Sequence, residues 1–73
     1  ELKLSFSQNL KVRREEKRLT QAQLARMIKS SQSRVAKMEA GDPTVSLDLL
    51  VRSLLALGTS KRELARAISA SPA

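Results

Sequence analysis

A short segment of this 73-residue chain, positions 32–37, combines an amide, a hydroxyl and an ammonium group. The Gln32 amide can donate and accept at once, as a bidentate pair with N6 and N7 of adenine requires. Ser33 is small enough to approach a base edge, and Lys37 lies one helical turn after Ser33. The three side chains can therefore share the outer face of a helix, where the chemistry open to them is hydrogen bonding to base edges.

Arg34 differs from these three because helical periodicity rotates it away from Ser33 and Lys37. An arginine can bind a guanine or a backbone phosphate, and spacing alone does not distinguish the two. We favour the phosphate. Taken alone, the segment SQSRVAKME is more typical of an ordinary solvent-exposed helix, so the elements around it decide between these interpretations.

Five helices with short connections are predicted around this segment, as one all-α domain over residues 1–73. Apolar residues recur in each at helical spacing. We expect helices at about residues 5–18, 21–28, 32–40, 47–57 and 61–69, with residues 71–73 trailing after the last. The predicted inward faces are Leu2, Phe6 and Leu10; Leu24, Ala25 and Ile28; Val35 and Met38; Leu47, Leu50, Leu54 and Leu57; and Leu64, Ala65 and Ile68.

Capping residues indicate where these helices begin and end. Thr20 with Gln23, and Ser60 with Glu63, have the spacing of a capping box. The remaining signals are single residues, with Ser31 and Ser46 as N-caps and Gly41 and Gly58 as C-terminal stops.

The composition argues against catalysis. The chain has neither cysteine nor histidine, which removes thiol nucleophiles, imidazole acid–base chemistry and Cys/His metal sites. A helical domain of 73 residues also has little room for an enclosed substrate cleft. We therefore expect no enzymatic activity, no cofactor and no metal.

The net charge of +7 favours a polyanionic partner. Residues 1–37 contain ten Lys/Arg and three Asp/Glu, whereas residues 38–73 contain four of each.

One Phe, with no Tyr or Trp, leaves little aromatic surface for stacking unpaired RNA bases. The basic first helix has too narrow an apolar stripe for a membrane surface, and no apolar run approaches the roughly 20 residues that span a bilayer. We expect a cytoplasmic, nucleoid-associated protein that binds double-stranded DNA.

Residues 19–41, LTQAQLARMIKSSQSRVAKMEAG, resemble the lambda-repressor/Cro-like helix-turn-helix family, also known as the xenobiotic-response-element family. With helices 1, 4 and 5 in the expected order, the resemblance covers about residues 6–68. It implies a compact five-helix DNA-binding domain in which helices 2 and 3 form the helix-turn-helix. The matching features are the Leu-Thr-Gln start of helix 2, Leu24-Ala25, Ser31-Gln32-Ser33, Val35, and the closing Met38-Glu39-x-Gly41.

This resemblance also implies roles for individual residues. Gln32, Ser33 and Lys37 match positions that read base edges. Gln21 matches one that contacts a phosphate from the start of helix 2, where backbone amides favour an anion. The further candidates for phosphate contact or for positioning are Thr20, Ser31 and Arg34.

An ion pair is implied as well. The family commonly pairs an arginine late in helix 1 with the glutamate that ends helix 3, which here are Arg14 and Glu39. Spacing alone would leave two separately solvated charges.

Three residues depart from the family pattern. Lys29 replaces the usual turn glycine, Arg13 replaces an apolar residue and would keep its head in solvent, and Ala40 replaces a frequent polar residue. A left-handed Lys29 would lose about 1 kcal/mol relative to glycine.

Two functions are compatible with these features. The first is a homodimeric transcription regulator, expected to be a repressor, because one short helix reads too few bases. Two half-sites about 34 Å apart would form a palindrome. Leu49, Leu55 and helix 5 are candidates for the dimer contact or, equally, for the core. The alternative is an antitoxin or accessory subunit that binds a toxin or other partner protein and uses DNA binding for autoregulation.

Overall fold

The computed structural model describes residues 2–70, which form five α-helices and contain no strand. The predicted all-α, five-helix fold is therefore confirmed, whereas the expected trailing segment 71–73 lies outside the described residues. The helices are α1 (Leu2–Glu16), α2 (Gln21–Met27), α3 (Gln32–Glu39), α4 (Leu47–Ala56) and α5 (Lys61–Ala70).

The helix bounds differ most from the prediction in α1. It begins at Leu2 rather than near residue 5, and it ends at Glu16 rather than at residue 18. The early start follows from packing, because Leu2 is partly buried against the core. At the other end of the chain α5 extends one residue further than expected, to Ala70. The middle helices each end one residue early, because Ile28, Ala40 and Leu57 are C-cap residues.

The core forms where α1 packs against α3 and α4 and where α2 packs against α3. Its buried members come from the predicted inward faces of the first four helices, except for Val45 in the α3–α4 connection and Leu64 of α5. Helical spacing therefore located most of the core correctly. The large apolar side chains that are fully buried are Phe6, Leu10, Leu24, Val35, Met38, Leu50, Leu54 and Leu57.

The predicted inward face of α5 is wrong at two of its three residues. Leu64 is buried, but Ala65 is exposed and Ile68 is 51% exposed. Ala67 packs against the core instead. Leu64 and Ala67 share a face at i,i+3 spacing and both pack on the core, and Glu63 beside them pairs with a side chain of α1. That face, rather than the one with Ile68, is directed toward α1.

Each of the first four helices is followed, two positions after its last residue, by a residue in the left-handed conformation. In every case the next backbone N–H donates to the carbonyl five residues earlier, as Ser30 does to Ala25 at 2.8 Å, which is the Schellman arrangement. The sequence predicts the glycine stops at 41 and 58 and allows a left-handed residue at 29, but it contains no signal for the one at 18. The four residues are Arg18 (φ 57°), Lys29 (φ 56°), Gly41 (φ 76°) and Gly58 (φ 91°).

Replacing Lys29 with glycine should raise the free energy of unfolding by about 1 kcal/mol, because glycine adopts a positive φ without steric strain. Urea unfolding followed by circular dichroism measures the change. About 0.5 M salt should be used to screen the interaction of the lysine charge with the end of α2.

The matched control is Gly58→Ala, which introduces the same strain where a new Cβ would approach its nearest neighbour, Lys17 Nζ, only to 3.7 Å. It should lower stability by about 1 kcal/mol. Equal stability of Lys29→Gly and the wild type would show that the left-handed lysine is not strained.

Candidate nucleic-acid interface

α3 has one apolar face and one polar face. Val35 and Met38 are fully buried and fix the helix to the domain. The three candidates for base reading lie on its solvent side, together with an alanine between them. The exposed residues of this face are Gln32, Ser33, Ala36 and Lys37.

Ala36 is not among the residues that the sequence predicts for base contact, because its side chain forms no hydrogen bond. It is exposed and follows Gln32 by four residues and Ser33 by three, so the three lie together on the helix surface. A methyl group cannot form a hydrogen bond, but it can contact the methyl group of thymine. Helical periodicity does indicate that Ala36 faces outward, because Val35 and Met38 face the core.

N-capping side chains position the starts of α2 and α3. Thr20 Oγ1 accepts from the Gln23 N–H at 3.1 Å, and Gln23 Oε1 accepts from the Thr20 N–H at 2.7 Å, which confirms the predicted capping box. Ser31 Oγ accepts from the Arg34 N–H at 3.1 Å. Both caps are exposed, so each helix presents its first turn to solvent.

An ion pair joins α1 to the end of α3. Arg14 Nε donates to Glu39 Oε2 at 2.6 Å, and Arg14 Nη2 donates to Glu39 Oε1 at 3.0 Å. Arg14 Nη1 donates to the Leu19 carbonyl at 2.7 Å, and Gln21 Nε2 donates to Glu39 Oε1 at 3.2 Å. We call Arg14, Leu19, Gln21 and Glu39 the clamp. It holds α1, the α1–α2 connection, α2 and α3 in one arrangement.

The clamp is largely shielded from solvent. The side chains of Arg14 and Glu39 are 12% and 4% exposed. Hydrogen bonding to Glu39 raises the pKa of Arg14 above its ordinary value, against the opposing effect of burial. The bidentate geometry also fixes the relative orientation of the two planar groups. Gln21, a candidate for phosphate contact, uses one amide N–H in the clamp and retains a second.

A polar groove of about 510 Å³ runs beside α3, between that helix and the start of α4. Ser33, Arg34 and Lys37 line it together, whereas Gln32 lies outside it. The opposite wall comes from the α3–α4 connection, including Thr44 and Ser46.

Asp42 stabilises that connection. Its Oδ1 accepts from the Thr44 hydroxyl at 2.6 Å and from the Thr44 N–H at 2.8 Å. These hydrogen bonds, the one from the hydroxyl first, lower the pKa of the exposed Asp42 carboxyl. The carboxylate therefore shapes the turn that forms the groove wall.

Arg13 remains partly exposed, as expected, but its head group is not separately solvated, because it forms an ion pair with α5. Its Nη2 donates to Glu63 Oε2 at 2.5 Å, and the two side chains are 39% and 42% exposed. Glu63 was expected to complete a capping box with Ser60. Only half of that box forms, with Ser60 Oγ accepting from the Glu63 N–H at 3.0 Å, because the carboxylate is bound to Arg13.

The described residues offer no group of three acidic, cysteine or histidine side chains placed to hold a metal ion. Among residues 2–70 no helix has both the length and the apolar character that crossing a bilayer requires.

A family model described as helix-turn-helix matches residues 10–64. The match begins within α1, covers α2, α3 and α4 entirely, and ends in the first turns of α5. Comparison with curated proteins and comparison with solved structures each found no match.

Replacing Glu39 with glutamine should lower the free energy of unfolding by about 3 kcal/mol, because it leaves the Arg14 charge buried without its counter-charge. Urea unfolding measures the loss. The matched control is Glu63→Gln, which removes the partner of Arg13 in a far more exposed pair and should change stability by at most about 1 kcal/mol. Similar small changes in both variants would show that the clamp does not stabilise the fold.

Proposed function

The chain belongs to the Cro/C1-type helix-turn-helix family of DNA-binding transcription regulators, and we propose that it recognises a specific DNA site through α3 in the major groove. The observation that carries this proposal is the exposed polar face of α3, opposite a fully buried apolar face. A helix about 10–12 Å across fits the major groove, which is about 12 Å wide.

The proposed base contacts come from four residues. Gln32 binds an adenine through its amide, Ser33 approaches a neighbouring base edge, and Lys37 donates to a guanine. Ala36, between them, contacts a thymine methyl group. The polar groups of Gln32, Ser33 and Lys37, the small size of Ser33 and Ala36, and the exposure of all four residues on one helix surface support this division of roles.

Phosphate contacts would hold α3 in register. The exposed N-terminus of α2 offers backbone amides and the remaining amide N–H of Gln21 to one strand of the duplex. Thr20 and Ser31 keep their hydroxyl hydrogens available while they cap their helices. Arg34, on the flank of α3, is assigned to a phosphate rather than to a base.

Such a protein would act in the cytoplasm on the nucleoid, as a repressor. Repression requires only that the protein occupy a site that polymerase needs. Selection of random duplexes at about 150 mM salt should enrich a defined site, because weak non-specific phosphate binding no longer obscures base preference there. No enrichment would contradict base reading.

Gln32→Ala should weaken binding to the enriched site by about 1–3 kcal/mol and relax the preference at one base pair. Fluorescence anisotropy with the selected duplex and its single-base variants measures both effects. Gln8→Ala is the matched control, since Gln8 is an exposed glutamine on α1. An equal loss on every sequence would assign Gln32 to backbone contact instead.

We also propose that the active form is a homodimer that reads two half-sites one helical turn apart. Leu55 and Ile68 are 38% and 51% exposed, and they would form an apolar contact between copies. Leu49, a third candidate, is only partly exposed, packs against the core and lines the groove beside α3. That position suits it less well to the dimer contact.

Sedimentation equilibrium at micromolar concentration should therefore give twice the monomer mass of 8.1 kDa. Ile68→Lys should shift the protein toward monomer, because it places a charge in an apolar contact. Val12→Lys is the control, since Val12 is equally exposed, at 51%, but lies on α1. A monomer at all concentrations, free and on DNA, would contradict the dimer.

A further inference from the structure

A second groove, also of about 510 Å³, lies next to the one beside α3, and Arg34 lines both. In the first groove Arg34 is accompanied by Ser33 and Lys37, which are candidates for base reading. In the second it is accompanied by Lys29 and Arg52. We call the second groove, defined by Lys29, Arg34 and Arg52, the cationic groove.

The charge of the cationic groove is uncompensated. Its lining contains these three cations and the hydroxyls of Ser30 and Ser31, but no carboxylate. Among the described residues, ion pairs form at Arg13 and Arg14, and none forms at Lys29, Arg34 or Arg52. A surface with several cations, hydroxyl donors and no internal counter-charge suits an oxyanion.

Three separate elements supply the cations. Arg34 is on α3, Lys29 is in the α2–α3 turn, and Arg52 is in the middle of α4. Lys29 holds a φ of 56°, which glycine would adopt with less strain. The backbone of the turn does not require lysine, so what lysine adds at this position is its charge.

The cationic groove lies on the flank of α3 away from the clamp. Gln21 contacts Glu39 on one side of the helix, and Arg34 faces α4 on the other. Positions 34 and 39 are about 140° apart around a regular helix. A helix in the major groove has a phosphate strand on each side, so a site on this flank would meet the strand opposite the one near α2.

We propose that the cationic groove binds a backbone phosphate of the DNA duplex, with Arg52 and Lys29 extending the interface beyond the helix-turn-helix itself. This inference rests on the proposed function. The proposed ligand is a phosphodiester, and the proposed role of the groove is to position the protein on DNA independently of base sequence. This role explains why neither Lys29 nor Arg52 is on the base-reading face.

The test is the salt dependence of DNA binding by the wild type, Arg52→Gln and Lys29→Gly. Affinity is measured by fluorescence anisotropy between about 50 and 200 mM KCl, on the selected duplex and on a mixed-sequence duplex of equal length. Arg62→Gln is the matched control, since Arg62 is an exposed arginine on α5.

Arg52→Gln should reduce the slope of log affinity against log salt by about 0.9 and weaken binding about fivefold at 150 mM, equally on both duplexes. Lys29→Gly should act in the same direction although it relieves backbone strain, so that a loss of affinity there cannot be attributed to unfolding. Arg62→Gln should match the wild type.

Unchanged slopes for Arg52→Gln and Lys29→Gly would overturn the inference and leave the proposed function intact, provided that the wild type still prefers the selected duplex. A wild type that binds neither duplex would overturn the proposed function itself. Sodium pyrophosphate at matched ionic strength, with its own binding followed by calorimetry, tests whether the groove takes a free phosphate compound instead. If pyrophosphate binds the wild type but not Arg52→Gln, while Arg52→Gln leaves the affinity and salt slope for both duplexes unchanged, the groove binds a free phosphate compound and the assignment to DNA is wrong.

Discussion

The ion pair between Arg14 and Glu39 is the constraint on which the rest of this small domain depends. Glu39 ends the helix that presents the candidate interface, and Arg14 reaches it from α1 while also holding the Leu19 carbonyl. Because both charges are shielded from water, neither could lose its partner without a large penalty. The orientation of α3 relative to α1 and α2 is therefore specified by hydrogen-bond geometry as well as by the apolar contacts of Val35 and Met38.

The turns between helices link stability to charge. Four helices are followed by a left-handed residue, which is a glycine in two cases and a cation in the other two. A glycine serves such a position with least strain, whereas a cation there interacts favourably with the carbonyl end of the helix. The cation at position 29 also adds a positive charge beside α3. The same residue thus lowers backbone stability slightly and increases the attraction of this surface for phosphate.

The distribution of charge along the chain is a poor guide to its distribution in space. The whole excess of positive charge lies in residues 1–37, yet Arg14 is used inside the domain and Arg13 is paired with Glu63. Arg52, from the electrically balanced half, lies in the cationic groove. Folding therefore redistributes the cations, and it brings Lys29, Arg34 and Arg52 from three separate elements to one groove beside α3.

The sequence by itself determined the number, type and order of the helices, their caps and most of the core, because these follow from local spacing and from the conformations that Thr20, Ser31, Gly41 and Gly58 favour. It also determined which face of α3 is polar. Only the tertiary structure decided how α5 is turned, where Arg13 and Arg52 lie, and that Gln21 joins the clamp. Each of these depends on a partner distant along the chain, 50 residues away for Arg13 and Glu63, and helical periodicity carries no information about such contacts.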